Sequence, residues 1–446
     1  MLSASLLYSE IKIPKPQNKR QRIKKGIIFD MKFRSIAMLV PAMAALCFFT
    51  SCESIDNNPS SAIEVIAGQT SQPQNDSTQP PENNDEINII TGEQKENPVV
   101  RIVATGDNLI HSSIYNQAAA RADYKGYDFS YAYQYVKDMF QGDLNIMNQE
   151  TLICNDIYPP SDYPMFNSPV ALGDYMMDIG INVFSISNNH VLDKGEEGLS
   201  ASLDYWDSRS DRALMYGAYR NEEDMNNIRT LDVNGIKFAF VAFTQYTNGL
   251  SLPADSALKI IYTSERDVMQ EQIEKAADIA DCVIVSVHWG NEDSFDVDDE
   301  RKALAQDFAD WGANIIIGNH PHVIQSMEYL DNSMGGQSFV FYSLGNFISA
   351  QSDNFNMVEL LADFNVTKDL VTGEIIVDDV KAVPLVNHYD TSYSNIRVYP
   401  YSMYTEELAS GHGIHTVSSG YAHDFSMSVI DGIISDNVPE QFLTIK

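Results

Sequence analysis

Basic residues and cysteines are scarce in this sequence. Across 446 residues, 29 lysines and arginines face 62 aspartates and glutamates, a formal net charge of -33. The basic residues crowd into the segment before Cys52, so the remainder is more acidic still. A surface of this kind excludes loose electrostatic capture of nucleic acid, anionic membrane or any other polyanion, and it concentrates cations instead. Long apolar runs are also missing. Ser35–Thr50 is mostly apolar but falls short of the about 20 residues that a membrane span needs. Of four cysteines, only Cys154 and Cys282 lie beyond the N-terminal segment. Cys282 opens one apparent strand and Cys154 follows the end of another. If the strands are parallel, the thiols sit at opposite edges, about 17 Å apart at about 3.3 Å per residue. A disulfide needs Cα atoms within about 7 Å, so two free thiols are expected.

What the N-terminal segment does carry is an address. Met31-Lys32-Phe33-Arg34 is basic, Ser35–Thr50 is apolar, and Ser51-Cys52 closes the run. That order makes a secretory signal. Phe49-Thr50-Ser51-Cys52 resembles a bacterial lipoprotein cleavage box, with Cys52 as the lipidated first residue of an exported, envelope-anchored chain; an uncleaved anchor is the other reading. Residues 1–30 are basic without an apolar core, which makes Met31 the alternative start. Residues 53–97 are rich in Ser, Gln, Asn, Pro, Glu and Asp. They cannot bury enough surface to offset ordering entropy and read as a disordered tether. The organisation expected is a signal-bearing segment over 1–52, a tether over 53–97, a folded domain over 98–386 and an extension of unassigned role over 387–446.

Within the folded part, strands and helices alternate. Apolar, β-branched runs at Val99–Thr105, Leu144–Met147, Ile181–Ser187, Cys282–Val287 and Asn314–Gly318 read as strands buried on both faces. Helical stretches fall at Tyr127–Phe140, Ala171–Ile179, Glu196–Ser208, Ser264–Ala280 and Glu300–Trp311. Thr230–Val233 and Lys237–Phe243 flank Asn234-Gly235, a pair suited to a tight hairpin. Phe339–Tyr342, Val358–Phe364 and Glu374–Val383 read as later strands. The alternation indicates an α/β fold with added antiparallel strands.

Five apolar runs end in polar groups suited to chemistry. They deliver Asp107 with His111, Glu150, Asn189 with His190, His288, and His320 with His322. Open α/β sheets keep their sites at the carboxyl ends of strands, so all five stations can meet at one sheet edge. A lone histidine there is commonly a hydrogen-bonded edge residue, and an Asn-Asn pair commonly closes a turn. Recurrence on successive strands is the stronger signal. Imidazoles and carboxylates together suit zinc, manganese or iron, and one carboxylate can bridge two ions about 3.5–4 Å apart.

The same residues carry a family resemblance. Gly106-Asp107, Asn148-Gln149-Glu150, Asn188–Gly195, His288–Glu292, Gly318–His322 and Tyr342–Phe347 follow the motif order of the CapA family of capsule and poly-γ-glutamate synthesis proteins. The resemblance covers about residues 99–350. It implies the calcineurin-like metallophosphatase fold, a four-layer αββα sandwich, and a centre for two divalent ions. By that similarity Asp107, Glu150 and His322 hold one ion, with Glu150 shared. Asn189, His288 and His320 hold the other. His190 matches the general acid, with Asp193 orienting it. Asn188, Glu292 and Asn346 fall in family motifs as residues that touch substrate or orient ligands. Two departures stand out. Leu109 occupies the position of the usual first-station histidine, with His111 two residues later as a candidate ligand, and Glu150 replaces the usual aspartate.

Two functional classes follow. One is a metal-dependent hydrolase of a phosphoester or of an amide in a cell-surface polymer. The other is an anchored accessory protein that holds an anionic polymer through bound metal. A general acid beside the ligands favours the first; fold resemblance alone does not choose.

Overall fold

The computed structural model describes residues 96–154 and 156–445. The signal segment, Cys52 and nearly all of the expected tether lie outside the described residues.

In chain order, β1 (Val99–Asn108) is followed by α1 (Ser112–Arg121), α2 (Ser130–Tyr133), β2 (Leu144–Asn148), α3 (Val170–Asp178), β3 (Val183–Ser185), α4 (Gly195–Asp207) and β4 (Leu214–Tyr216). Next come α5 (Glu222–Asn226), β5 (Arg229–Val233), β6 (Ile236–Thr244), α6 (Arg266–Ile279), β7 (Cys282–His288), α7 (Asp299–Trp311) and β8 (Ile315–Asn319). The chain then runs through β9 (Met327–Asp331), β10 (Gln337–Phe341), β11 (Asn346–Ile348), β12 (Val358–Lys368), β13 (Ile375–Asp390), β14 (Ser394–Pro400), α8 (Glu406–Ser410) and α9 (Met427–Asn437). One sheet has the order β14-β13-β12-β1-β2-β3-β4, with β11 alongside β1; the other has the order β5-β6-β7-β8-β10-β9. β1 to β4 are parallel neighbours, as are β6, β7 and β8.

Strand alternation makes the layers. In the second sheet Phe238, Phe240, Ile284, Ile315, Ile317, Phe339 and Phe341 turn to a central core shared with the first sheet. Phe341 meets Phe364 of β12 there, with centroids 5.6 Å apart. The intervening residues Ala239, Val241, Val283, Val285, Ile316 and Val340 turn outward and bury Met269 and Ile273 of α6 and Phe308 of α7. On the first sheet α4 lays Trp206 against Phe184 of β3. The result is helix, sheet, sheet, helix, with each parallel strand apolar on both faces because both faces are covered.

Three sequence expectations change. The helix expected over Tyr127–Phe140 is broken into α2 and a separate short turn at Lys137–Met139. Tyr133 donates its hydroxyl to Asn108 Oδ1 at 2.8 Å, while Tyr135, two residues on, stacks on Tyr399 of β14. Tertiary partners on two sides override the modest helix propensity of a tyrosine-rich run. The boundary expected at 386/387 falls inside β13, whose ladder with β14 extends the first sheet. Finally, the stations do not share one sheet edge; they are divided between the two sheets. Cys154 and Cys282 are free and buried. Among the described residues no helix is long and apolar enough to cross a membrane.

Candidate metal centre

The carboxyl ends of β1, β2, β7 and β8 converge where the two sheets meet. Asp107 closes β1 and Glu150 follows β2; both side chains are fully buried. Close approach of β1 to the chain before β11 requires Gly106, since a Cβ there would stand 2.0 Å from the Gly345 carbonyl oxygen. Asp107 N–H donates to that same carbonyl at 3.0 Å. From the second sheet His288 closes β7, and His320 and His322 follow β8. His320 and His322 hold positive φ angles of 99° and 57°, a backbone cost of the kind that clusters at functional sites.

Glu150 is the hub. Its Oε1 lies 3.7 Å from His288 Nε2, 3.8 Å from His322 Nε2 and 4.0 Å from His190 Nε2. Neither of its oxygens has a hydrogen-bond partner, although both are buried. His288 Nε2 also meets Asn189 Oδ1 at 3.0 Å and His320 Nδ1 at 3.1 Å. On the other side, His322 Nδ1 stands 3.2 Å from Asp107 Oδ2 and 3.0 Å from Asn346 Oδ1. Asn148 donates to Asp107 Oδ1 at 2.7 Å. Ligand atoms of Asp107, Glu150 and His322 all lie within 4.8 Å of one another, and so do those of Glu292, His320 and His322.

Charge follows burial. Burial, with the Asp107 charge next, pushes the Glu150 carboxyl well above the usual range. Burial and the neighbouring imidazoles hold His288 and His320 well below the usual value. Burial also pulls on His322, but Glu150 and Asp107 outweigh it and push the ring up to about 10. Two neutral imidazoles, a desolvated carboxylate pair and an imidazole that gathers a proton form a donor set that favours added positive charge. Those residues fit divalent metal.

His190 stands beside this cluster. Its Nδ1–H donates to Asp193 Oδ2 at 2.7 Å, and the Phe166 amide donates to the same oxygen at 2.6 Å. Asn188 Oδ1 accepts from the His190 amide at 3.0 Å and so shapes the turn. The Phe166 ring packs edge-on to His190. His111 does not join either donor group. Its Nδ1 accepts from the Ala350 amide at 3.1 Å and its ring packs on Phe166, because it lies beyond the end of β1, at the start of α1.

Tyr246 and Asn248 also reach the site, from outside the motifs. The Tyr246 hydroxyl hydrogen-bonds His320 Nε2, and Asn248 Nδ2 comes within 3.5 Å of His190 Nδ1. Both lie just past β6, another apolar run ending in polar residues, so the signal used for the other stations was present there too.

Residues 101–351 match the family described as bacterial capsule synthesis protein PGA_cap. The capsule biosynthesis protein CapA of Bacillus anthracis is 34% identical over 180 residues, 39% of this chain and 41% of that protein. The PGA biosynthesis protein CapA of Bacillus subtilis (strain 168) is 28% identical over 194 residues, 44% and 49% of the two chains. The matches thus span about half or less of those relatives. Among solved structures, a novel phosphatase of Mycoplasma pneumoniae aligns with a TM-score of 0.40 at 15% identity, over 65% of this chain and 95% of that one. A putative 5'-nucleotidase of Staphylococcus aureus aligns with a TM-score of 0.39 at 13% identity, over 75% and 58%.

Proposed function

Since the chain belongs to the bacterial capsule synthesis protein PGA_cap family, we propose that it is a metal-dependent hydrolase that cuts a linkage in an anionic cell-surface polymer, or a phosphoester, during capsule synthesis. The observation that carries this reading is Glu150, a fully buried carboxylate with two unpartnered oxygens inside a ring of imidazoles. Buried carboxyl oxygens without a partner are costly to keep unless something completes them.

Asp107, Glu150 and His322 would hold one divalent ion, and Asn189, His288 and His320, with Glu150 shared, a second. Manganese, zinc or iron bound there supplies Lewis-acid polarisation of a phosphoryl or carbonyl group. The chain's own residues supply the rest. Asn148 and Asn346 orient Asp107 and His322. Asp193 accepts the Nδ1 proton of His190 and fixes the ring with Nε2 toward the cluster; in the doubly protonated ring, the Nε2 proton would be the one handed to a departing alkoxide or amine, leaving Nε2 bare and Nδ1 still protonated.

His190→Ala is the deciding variant. It should retain metal and lose about 10²–10⁴-fold in rate on a substrate with a poor leaving group. An activated ester leaves without proton help and would mask the effect. Equal rates at matched metal content would favour the second reading, an accessory protein that holds an anionic polymer through metal. The excess of acidic over basic residues supports that reading, because such a surface needs a cation between it and a polyanion.

The protein is further proposed to work in the cell envelope, tethered through lipid on Cys52. Cys52→Ser should lose lipid labelling and leave the membrane fraction; unchanged labelling and fractionation would defeat the anchor.

A further inference from the structure

Leu109 removes the nitrogen donor that the resemblance places at the first station, and His111 is held elsewhere by the Ala350 amide. Asp107, Glu150 and His322 remain as a three-donor set. A further donor reaches His322, and His320 beside it, from the solvent side. Glu292 is exposed, yet its ligand atom lies within 4.8 Å of those of His320 and His322, which are buried.

That proximity is built into the backbone. The turn His288-Trp289-Gly290-Asn291-Glu292 is stitched to the loop after β8 on both sides of Glu292. Before it, the Trp289 amide donates to the Asn319 carbonyl at 3.1 Å; after it, the Asp293 amide donates to the Pro321 carbonyl at 2.9 Å. Gly290 makes the turn with φ 94°, and its amide donates to Gln245 Oε1 at 2.6 Å. The next carboxylate, Asp293, is engaged differently: Asn356 donates to its Oδ1 at 3.0 Å. Of the two adjacent acids, one braces a loop and the other is presented to the histidines.

We propose that Glu292 is itself a metal ligand, a solvent-side carboxylate that binds a divalent cation together with His320 and His322. This rests on the metal-centre reading above and changes the role of Glu292 from a residue that orients ligands or touches substrate to a ligand. A ligand on the open side, carried by an exposed side chain, is also the one an incoming anionic group can displace. Catalytic centres keep such a position available.

The test is a titration of the chelator-stripped full chain with Mn²⁺, comparing wild type, Glu292→Gln and Asp107→Asn, with Co²⁺ visible absorption as a report on coordination. Glu292 is exposed, so the glutamine variant should keep the melting temperature of the stripped wild type. We expect Glu292→Gln to weaken Mn²⁺ binding at least tenfold, since loss of even an outer partner of a metal site costs about 10–100-fold, and to change the Co²⁺ bands. Weakening without a change in the Co²⁺ spectrum would mean a through-space charge effect and would overturn the proposal. Wild-type affinity in Glu292→Gln alongside weakened binding in Asp107→Asn would overturn it while leaving the metal centre standing. Absence of binding in the wild type would remove the metal centre and this ligand together.

Discussion

Asp193 illustrates how much one side chain settles. Its Oδ2 accepts both the His190 ring proton and the Phe166 amide, while its Oδ1 has no partner. Asp193→Asn preserves volume, but with its N–H at the Oδ2 place it loses both contacts, and with its oxygen there it keeps both and loses the negative charge beside the ring. We predict that it retains metal and loses at least about tenfold in rate on a poor leaving group, toward the lower part of the range for a general acid. A pH–rate profile displaced relative to wild type, with unchanged metal content, is the measurement that checks it. Glu150→Gln acts at the other end of the network. Losing the hub carboxylate should abolish binding at both metal positions, read as metal content per chain. At this scale the sequence was legible wherever a donor followed an apolar strand, as with Asp107, His288 and His320. It misled at His111, since a spacing of four from Asp107 says nothing about where the backbone turns. Tyr246 was missed because tyrosine is not a usual ligand.

Strand ends set where the donors stand, including those in the short turns that follow them. Gly318, the penultimate residue of β8, lies where a Cβ would meet the Tyr342 carbonyl oxygen at 2.0 Å and Trp289 Nε1 at 2.7 Å. Gly318→Ala must therefore push β8 away from the chain leaving β10, moving His320 and His322 together. The expected cost is about 1–3 kcal/mol of stability, the usual range for overpacking a filled core, with weakened metal binding. Thermal melts of the stripped and loaded chain separate the two effects. The parallel core strands and their helices were readable because a strand covered on both faces is apolar throughout. β4 and β11 are three residues each and carry no periodicity. The segment around β14 is rich in tyrosine and polar residues whose order comes from partners far away in sequence, such as Tyr135 on Tyr399.

The whole molecule has an acid-sensitive end. His388 on β13 and His412 pack ring to ring, 4.7 Å between centroids, among Tyr389, Tyr404 and Phe425. Burial holds His388 down to about 4, helped by Arg397 and opposed by Asp390, and holds His412 down to about 3, helped by His388. Both are neutral in the fold, whereas in the unfolded chain they take up a proton near pH 6.5. The unfolded state therefore binds more protons below that pH. The stability these groups contribute is complete above about pH 6.5 and falls as pH drops toward 4, by up to about 1.4 kcal/mol per unit for each ring. A melting temperature that declines over that window, and declines less in His388→Phe, is the expected result. Removing residues 391–446 should also lower it, because β13 would lose its β14 partner and the aromatic cluster with it.

The division of the centre between two sheets has a consequence in time. β1 carries Asp107 in the middle of the first sheet, paired on one side with β12, whose residues are made more than 250 positions later. His322 and Asn346 likewise emerge long after Asp107. Contacts of such long range are slow to form, because loop closure precedes any reward from them. A growing chain that stops before residue 322 lacks the full ligand set, and one that stops before residue 358 lacks the β12 pairing that would hold it. Metal capture by the proposed centre would therefore fall among the last events of maturation, and a bound ion would report that the two sheets have docked.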